Sequence, residues 1–318
     1  PFDYKNNAMV YVPSGTAPAP DDLGWPLWAT EQMRRLVLSS GGGAFLLLGG
    51  VWVAYTQMGS QPAKLDTIKV KDDLFVIHNN IVPGNSTALV TNEGVILVDD
   101  KFEVDHDGIM AELKKITDKP LKYVINTHHH ADHSGGNVKM QAMNVQIIAS
   151  EQARQNMVDG KQPGLPNIAI EHHAHVYLGG KNAELYYFGR AHTNGDIFVY
   201  LPAHKVLVTG DTFTFGKDTP ILIDYAGGGS VKEWTNTLDG ALKLDFDTVI
   251  PGHGPVTNKA GLKTYRDNVA KLRDTISSMV KGGKTTADLA KYMETEYKWA
   301  PGSLNQQWSV PGFVNEFK

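Results

Sequence analysis

The chain contains no cysteine. That absence removes disulfides, thiolate metal ligands and a cysteine nucleophile in one step. It also lacks any block of like charge. Lys and Arg number 30 against 34 Asp and Glu, a net charge of −4 over 318 residues. Without a basic patch to neutralise phosphates, a nucleic-acid partner is not expected. No long internal repeat is visible, so a solenoid or propeller is not indicated. What remains is ordinary globular chemistry: 42% hydrophobic and 20% charged residues, enough to bury a sizeable core.

One stretch lacks charge altogether. Residues 36–58 carry no Asp, Glu, Lys or Arg, and Arg34-Arg35 stands just before them. A charged start followed by an apolar run is the pattern of a secretory signal or a single membrane anchor. The arginine pair also resembles a twin-arginine export signal, with Met33 before the pair as a departure. A buried helix is the competing reading, but Gly41-Gly42-Gly43 and Gly49-Gly50 weaken any soluble helix there. The expected organisation is therefore an irregular, proline-containing leader with its apolar segment over residues 1–60, and a catalytic domain over 61–318. The domain is expected outside the cytoplasm, periplasmic or tethered to the membrane through 36–58.

From about Gln61 the pattern is that of an α/β domain. Short apolar runs at 74–78, 86–90, 95–99, 121–126 and 145–149 read as strands, as do 183–188, 196–201, 205–209 and 248–250. Helices are expected at 105–117, at 134–141 with Ser134 as N-cap, and at 150–158, 231–242, 259–280 and 285–297. A polar, aromatic tail follows.

The chemistry is concentrated after the 121–126 strand. His128-His129-His130-Ala131-Asp132-His133 reads H-x-H-x-D-H, four metal-competent side chains in six residues at the end of a buried strand. Neutral imidazole and carboxylate are good ligands for zinc and its neighbours. Three later strand ends add to them: His192 in Gly189-Arg190-Ala191-His192-Thr193-Asn194-Gly195-Asp196, Asp211 in Thr209-Gly210-Asp211-Thr212, and His253 in Pro251-Gly252-His253-Gly254. A lone histidine after a strand is usually a polar loop residue, and a lone Gly-Asp usually a turn. The ordered combination is hard to dismiss in that way. His129, between two candidate ligands on an extended segment, should point away from them and serve structure.

This order of motifs resembles the metallo-β-lactamase superfamily over about residues 65–258. The resemblance implies an αββα sandwich, two mixed β-sheets with helices on their outer faces. It implies a first metal on His128, His130 and His192, a second on Asp132, His133 and His253, and Asp211 bridging the two. Two zinc ions per chain would then activate a shared hydroxide for attack on a carbonyl, with Asp132 both ligating and orienting it. The implied substrate is a small amide, lactam, ester or thioester. The export-like leader and the His192 motif resemble β-lactamase-like proteins. A bridging aspartate resembles glyoxalase-type thioesterases and lactonases, whereas similar zinc β-lactamases commonly carry cysteine there. Persulfide dioxygenases share the H-x-H-x-D-H stretch but use a single iron on positions matching His128, His192 and Asp211.

Other features have plainer readings. His172, His173 and His175 fit a solvated strand face better than a second metal site. Substrate contacts are expected from 83–85, 159–167 and 213–230. Within the last, Gly227-Gly228-Gly229 reads equally as a connector or as a binding loop. Trp234 and Trp308 are expected to be packing residues.

Overall fold

The computed structural model describes residues 61–79, 82–216 and 221–318. The apolar segment 36–58 and Lys217 lie outside these. Among the described residues, no helix is long and apolar enough to cross a membrane.

Two mixed sheets form the centre. The first runs in chain order: β1 (Asp66–Lys71), β2 (Leu74–His78), β3 (Ser86–Val90), β4 (Val95–Val98), β5 (Leu121–Ile125), β6 (Gln146–Ser150) and β7 (Ile168–Ile170). The β1–β4 half is antiparallel and the β4–β7 half parallel. The change falls where the chain first needs helical crossovers: α1 (His106–Ile116) joins β4 to β5. Two short helices, α2 (Ala131–Ser134) and α3 (Asn137–Ala142), precede β6, and α4 (Glu151–Asp159) follows it. The second sheet contains β8 (His173–Leu178), β9 (Lys181–Tyr186), β10 (Phe198–Leu201), β11 (Val206–Val208), β12 (Thr248–Ile250) and β13 (Thr257–Asn258), in the order β13-β12-β11-β10-β9-β8. Its only parallel pair is β11–β12, linked through α5 (Val231–Ala241). The remaining helices are α6 (Lys259–Lys281), α7 (Thr286–Tyr297) and α8 (Leu304–Phe317).

Three apolar clusters separate the layers. Val76, Leu89, Ile96, Val98, Ile125 and Ile148 of the first sheet meet Leu185, Val199, Val208 and Ile250 of the second. Ile109 and Leu113 of α1 and Met140 of α3 cover the outer face of the first sheet. Trp234, Leu238, Leu262, Val269, Leu272 and Phe313, from α5, α6 and α8, cover the second. The result is the expected four-layer αββα sandwich. Strands such as β4, Val-Ile-Leu-Val, are continuously apolar because both of their faces are buried.

Several expectations change in detail. Ser134 does not start a helix; it ends α2, and its hydroxyl donates to the His129 and His130 carbonyls at 3.0 Å each. The helix that follows, α3, starts at Asn137 without a side-chain cap, whereas Ser150 caps α4, accepting from Ala153 N and donating to Gly195 O at 2.6 Å, which ties β6 to the loop carrying His192. The polar, aromatic tail is helical. It forms α8 despite Pro311 and Gly312, because Val310 and Phe313 bury their side chains in the outer cluster.

Trp234 is wholly buried and donates from Nε1 to Thr212 O at 2.9 Å, holding the Asp211 turn against α5. Trp234→Phe strands that carbonyl. It should cost about 1–3 kcal/mol in a urea denaturation series; an unchanged midpoint would show the bond to be dispensable.

Candidate metal centre

The sandwich brings the ends of β5, β11 and β12 and the loop before β10 to one edge. Each delivers one group of the sequence constellation. All seven residues singled out from the sequence converge there, and no cluster member is displaced: His128, His130 and His192 lie in one group, Asp132, His133 and His253 in another, and Asp211 between them.

The first group can be worked out atom by atom. His192 Nδ1 lies 2.7 Å from the Leu222 carbonyl, which can only accept, so Nδ1 carries the proton. His130 Nε2 lies 2.8 Å from Asp224 Oδ2 and donates to it. Thr127 Oγ1 gives its own proton to Asp99 Oδ2 at 2.8 Å, so it accepts from His128 Nδ1 at 3.1 Å. With His130 neutral, as a metal ligand must be, the three remaining nitrogens are bare lone pairs. His130 Nδ1 sits 3.1 Å from His128 Nε2 and 2.9 Å from His192 Nε2. Lone pairs at that distance repel. The spacing approaches the roughly 3.3 Å expected between ligand atoms around a tetrahedral zinc with bonds of about 2.0 Å. A shared cation is what such a trio fits. Burial keeps two of these rings neutral, pulling His128 well below its ordinary pKa and His192 to about 4, whereas at His130 burial is outweighed by Asp224, which raises the ring.

The second group is more charged. His133 Nε2 faces His253 Nε2 at 3.2 Å, Asp211 Oδ1 at 3.3 Å and Asp132 Oδ2 at 3.7 Å. His253 Nε2 lies 3.3 Å from Asp211 Oδ2 and 3.4 Å from Asp132 Oδ2. Asp211 Oδ2 is also 3.8 Å from His192 Nε2, within reach of the first trio. Asp211 Oδ1 is buried without a hydrogen bond of acceptable geometry, a cost of about 1–3 kcal/mol unless a cation satisfies it. Burial opposes charge on His253, but Asp211 and Asp132 outweigh it and raise the ring to about 10. His133 is raised for the same reason.

Three supporting residues escaped the sequence reading. Asp99, at the end of β4 with φ 62°, accepts from Thr127 N at 2.7 Å, Thr127 Oγ1 at 2.8 Å and His133 Nδ1 at 2.8 Å. It braces both groups at once. Asp224 holds His130 and accepts from Gly227 N at 2.9 Å. Lys101 is fully buried, donates to Gly84 O and is pulled by burial to about 7. In sequence, each looks like a turn residue or a charge after a strand.

The loop at 83–85 is anchored on the centre. Asn85 Nδ2 donates to Pro251 O and Gly254 O at 2.9 Å each, steadying the turn that holds His253. Gly252 is needed in that turn because a Cβ would lie 2.0 Å from Asp211 Oδ1. The 227–229 run is a packed turn leading into α5, with Gly227 and Gly229 amides on Asp224 and Gly227 O accepting from Asn194 N. His129 points away from both groups, as expected, toward Asn156 Nδ2 at 3.3 Å. Trp308 packs, as expected, and does so against the centre itself: its ring centroid lies 5.2 Å from that of His130.

The family model of the metallo-beta-lactamase superfamily matches residues 79–253, more than half of the chain and the whole of this centre. The chain belongs to that superfamily. A type 2 metallo-beta-lactamase from Bacillus cereus is 27% identical over 202 residues, covering 60% of this chain and 74% of that protein. One from Elizabethkingia meningoseptica is 22% identical over 224 residues, 68% and 89% of the two chains. Among solved structures, a metallo-beta-lactamase from Pontibacter korlensis superposes with a TM-score of 0.60 at 22% identity, covering 65% of this chain and 99% of that one. DIM-1 metallo-beta-lactamase gives 0.58 at 20% identity. The chain is thus a metal-binding hydrolase of the metallo-beta-lactamase superfamily, and helices α6–α8 lie beyond the superfamily match.

Two predictions follow from the geometry. Removing an outer partner should loosen its metal-binding ring: Asp224→Ala should weaken metal binding by the group that contains His130, and Asp99→Ala binding by both groups, each by about 10–100-fold in a chelator competition. Equal affinity in either variant would show that the partner does not orient the ring. In metal-free protein, His253 titrates near 10 when folded and near 6.5 when unfolded. Its stabilisation is complete below pH 6.5 and lost as pH rises through 10. The denaturation midpoint of chelator-treated protein should therefore fall across that window; a flat profile would mean a neutral His253.

Proposed function

We propose that the protein is a dinuclear zinc hydrolase opening the carbonyl of a small amide, lactam, ester or thioester. The observation that carries this reading is the pair of complete donor groups sharing Asp211. One group alone would serve a single ion, and His133 and His253 would then face buried carboxylates with no ion between them. Imidazole and carboxylate donors suit zinc. Zinc held by His128, His130 and His192, and by Asp132, His133 and His253 with Asp211 between, would acidify a water and polarise a carbonyl.

The chain's own residues supply the rest. Burial would raise the Asp132 carboxyl, but His133 and His253 keep it well below the usual range. It is therefore an ionised acceptor, able to orient the attacking water by taking its hydrogen bond. Asp211 is held ionised by His253 and His133 in the same way against its burial. Asp99, Asp224 and the Leu222 carbonyl fix the rings before substrate arrives, so little reorganisation is left for the reaction itself. β-Lactams are the leading substrate class, since the relatives named above are metallo-beta-lactamases. The Asp211 position makes thioesters and lactones the second class to examine. We also place the enzyme outside the cytoplasm, released or anchored, on the strength of Arg34-Arg35 and the uncharged 36–58.

The deciding measurement is metal content per chain, joined to turnover of β-lactam, lactone and thioester panels. Two zinc ions with hydrolysis of one panel is the expected result. About one iron per chain would instead indicate sulfur oxygenation, and His133 and His253 would become supporting residues. Asp211→Ala should lower metal occupancy and rate together, by at least about tenfold; full activity in that variant would sink the bridging role.

A further inference from the structure

The hairpin of β8 and β9 gathers a second set of donor side chains, none of them shared with the metal centre. β8 is the last strand of its sheet and pairs with β9. Successive residues of a strand face opposite sides. Val176 is buried in the apolar layer between the sheets, with Ala174 and Leu178 packed against the same cluster. His173, His175 and Tyr177 therefore face the other way, and all three are exposed. The register sets Glu184 directly opposite His175 and Tyr186 opposite His173. Of the three histidines visible in the sequence, the fold thus keeps two on one face. It adds a carboxylate from the neighbouring strand.

One ligand atom each from His173, His175 and Glu184 lie within 4.8 Å of one another. His175 Nδ1 stands 3.9 Å from Glu184 Oε1, too far for a hydrogen bond. Two ligands on one tetrahedral zinc stand roughly 3.3 Å apart, so a small rotation of exposed side chains closes the set around an ion.

Neighbouring residues hold these side chains in place. The His173 ring stacks on Tyr186, with centroids 4.4 Å apart and planes at 23°. Tyr186 stacks on Phe188 at 5.3 Å, and Phe188 meets the buried Phe198 at 5.6 Å. The imidazole is therefore the outer end of a stack rooted in the core. Tyr177 stacks on His175 at 5.7 Å and 12°. Tyr186 donates its hydroxyl proton to Glu184 Oε2 at 2.6 Å, and Asn182 Nδ2 donates to Oε1 at 3.1 Å. Each carboxylate oxygen keeps a lone pair, and its direction is set. Outer partners of this kind are what orient metal-binding carboxylates.

We propose that His173, His175 and Glu184 form a second, peripheral site for one divalent transition-metal ion of the zinc or copper class, with water completing its coordination. Two imidazoles and one carboxylate favour such ions over calcium or magnesium, which prefer oxygen donors throughout. An ion there ties β8 to β9 at the edge of the sheet. The site is independent of the hydrolase reading.

The test titrates untagged full-length protein with zinc against a chromophoric chelator, wild type beside the double variant His173→Ala, His175→Ala. The wild type should bind one more zinc per chain than the double variant, and that zinc should shift the imidazole resonances of His173 and His175. Glu184→Gln should lose the additional ion as well. Tyr186→Phe keeps the stack but removes the bond to Glu184, and should weaken the additional step by about tenfold. The replaced side chains lie on the outward face, so circular dichroism should not change. Equal zinc content in wild type and double variant overturns the proposal. An additional ion that survives Glu184→Gln at full affinity also overturns it, since the histidine pair alone would then be an adventitious ligand. The readout is a difference between wild type and variant, so it holds whether the metal centre takes two ions or one.

Discussion

Everything at the working edge of this protein depends on holding unshared electron pairs closer together than they would choose. Three bare imidazole nitrogens stand about 3 Å apart, and two carboxylates share one small volume with two more rings. Left free, these side chains would rotate apart into water. They cannot, because their protonated sides are tied down: His130 to Asp224, His192 to the Leu222 carbonyl, His133 to Asp99, and His128 through Thr127 to Asp99. Each tie also fixes the tautomer, so the lone pairs face inward by construction.

Those ties need a rigid frame. The parallel half of the first sheet and the β11–β12 pair of the second end at the same edge, and the apolar layer between the sheets sets their relative height. Asp99 shows how tightly frame and site are joined. It follows β4 directly, turns through a left-handed backbone conformation, and bonds to residues from the next strand end. Aspartate tolerates that conformation better than most residues. The outer helices reach the same edge by another path, since Trp234 holds the turn of Asp211.

The legibility of the sequence follows from distance along the chain. H-x-H-x-D-H is readable because its four donors fall within six residues, and the strand before it marks where they are delivered. His192, Asp211 and His253 become readable through their Gly-rich turns, which recur at strand ends. The central strands and the long helices were legible because burial on both faces, or on one stripe, leaves a clear apolar pattern. Asp99, Lys101 and Asp224 were not, because their partners lie 28, 17 and 94 positions away and nothing local marks them. Edge strands such as β1 and β7 pair only on one side and leave weak patterns. α8 was hidden by Pro311 and Gly312, two residues that argue against a helix from propensity alone. Gly312 is there for the Tyr225 ring, a reason visible only once the helix is docked.

The two donor groups differ in a way that bears on how the centre is stabilised. The first is three imidazoles with no carboxylate among them; its cost when empty is the crowding of ring nitrogens that face one another. The second contains Asp132 and Asp211, so its cost when empty is uncompensated negative charge in a buried volume, which His133 and His253 relieve by taking up protons. A cation entering the second group must therefore displace protons, whereas one entering the first meets rings that burial already keeps neutral, except for His130 beside Asp224. Asp211 touches both groups, so filling either one changes the field at the other. The loop from 221 to 230, clamped by α8, sets the support of the first group alone. The chain thus joins donors built on strand ends to a supporting loop that α8 clamps through Ser309 and Glu316.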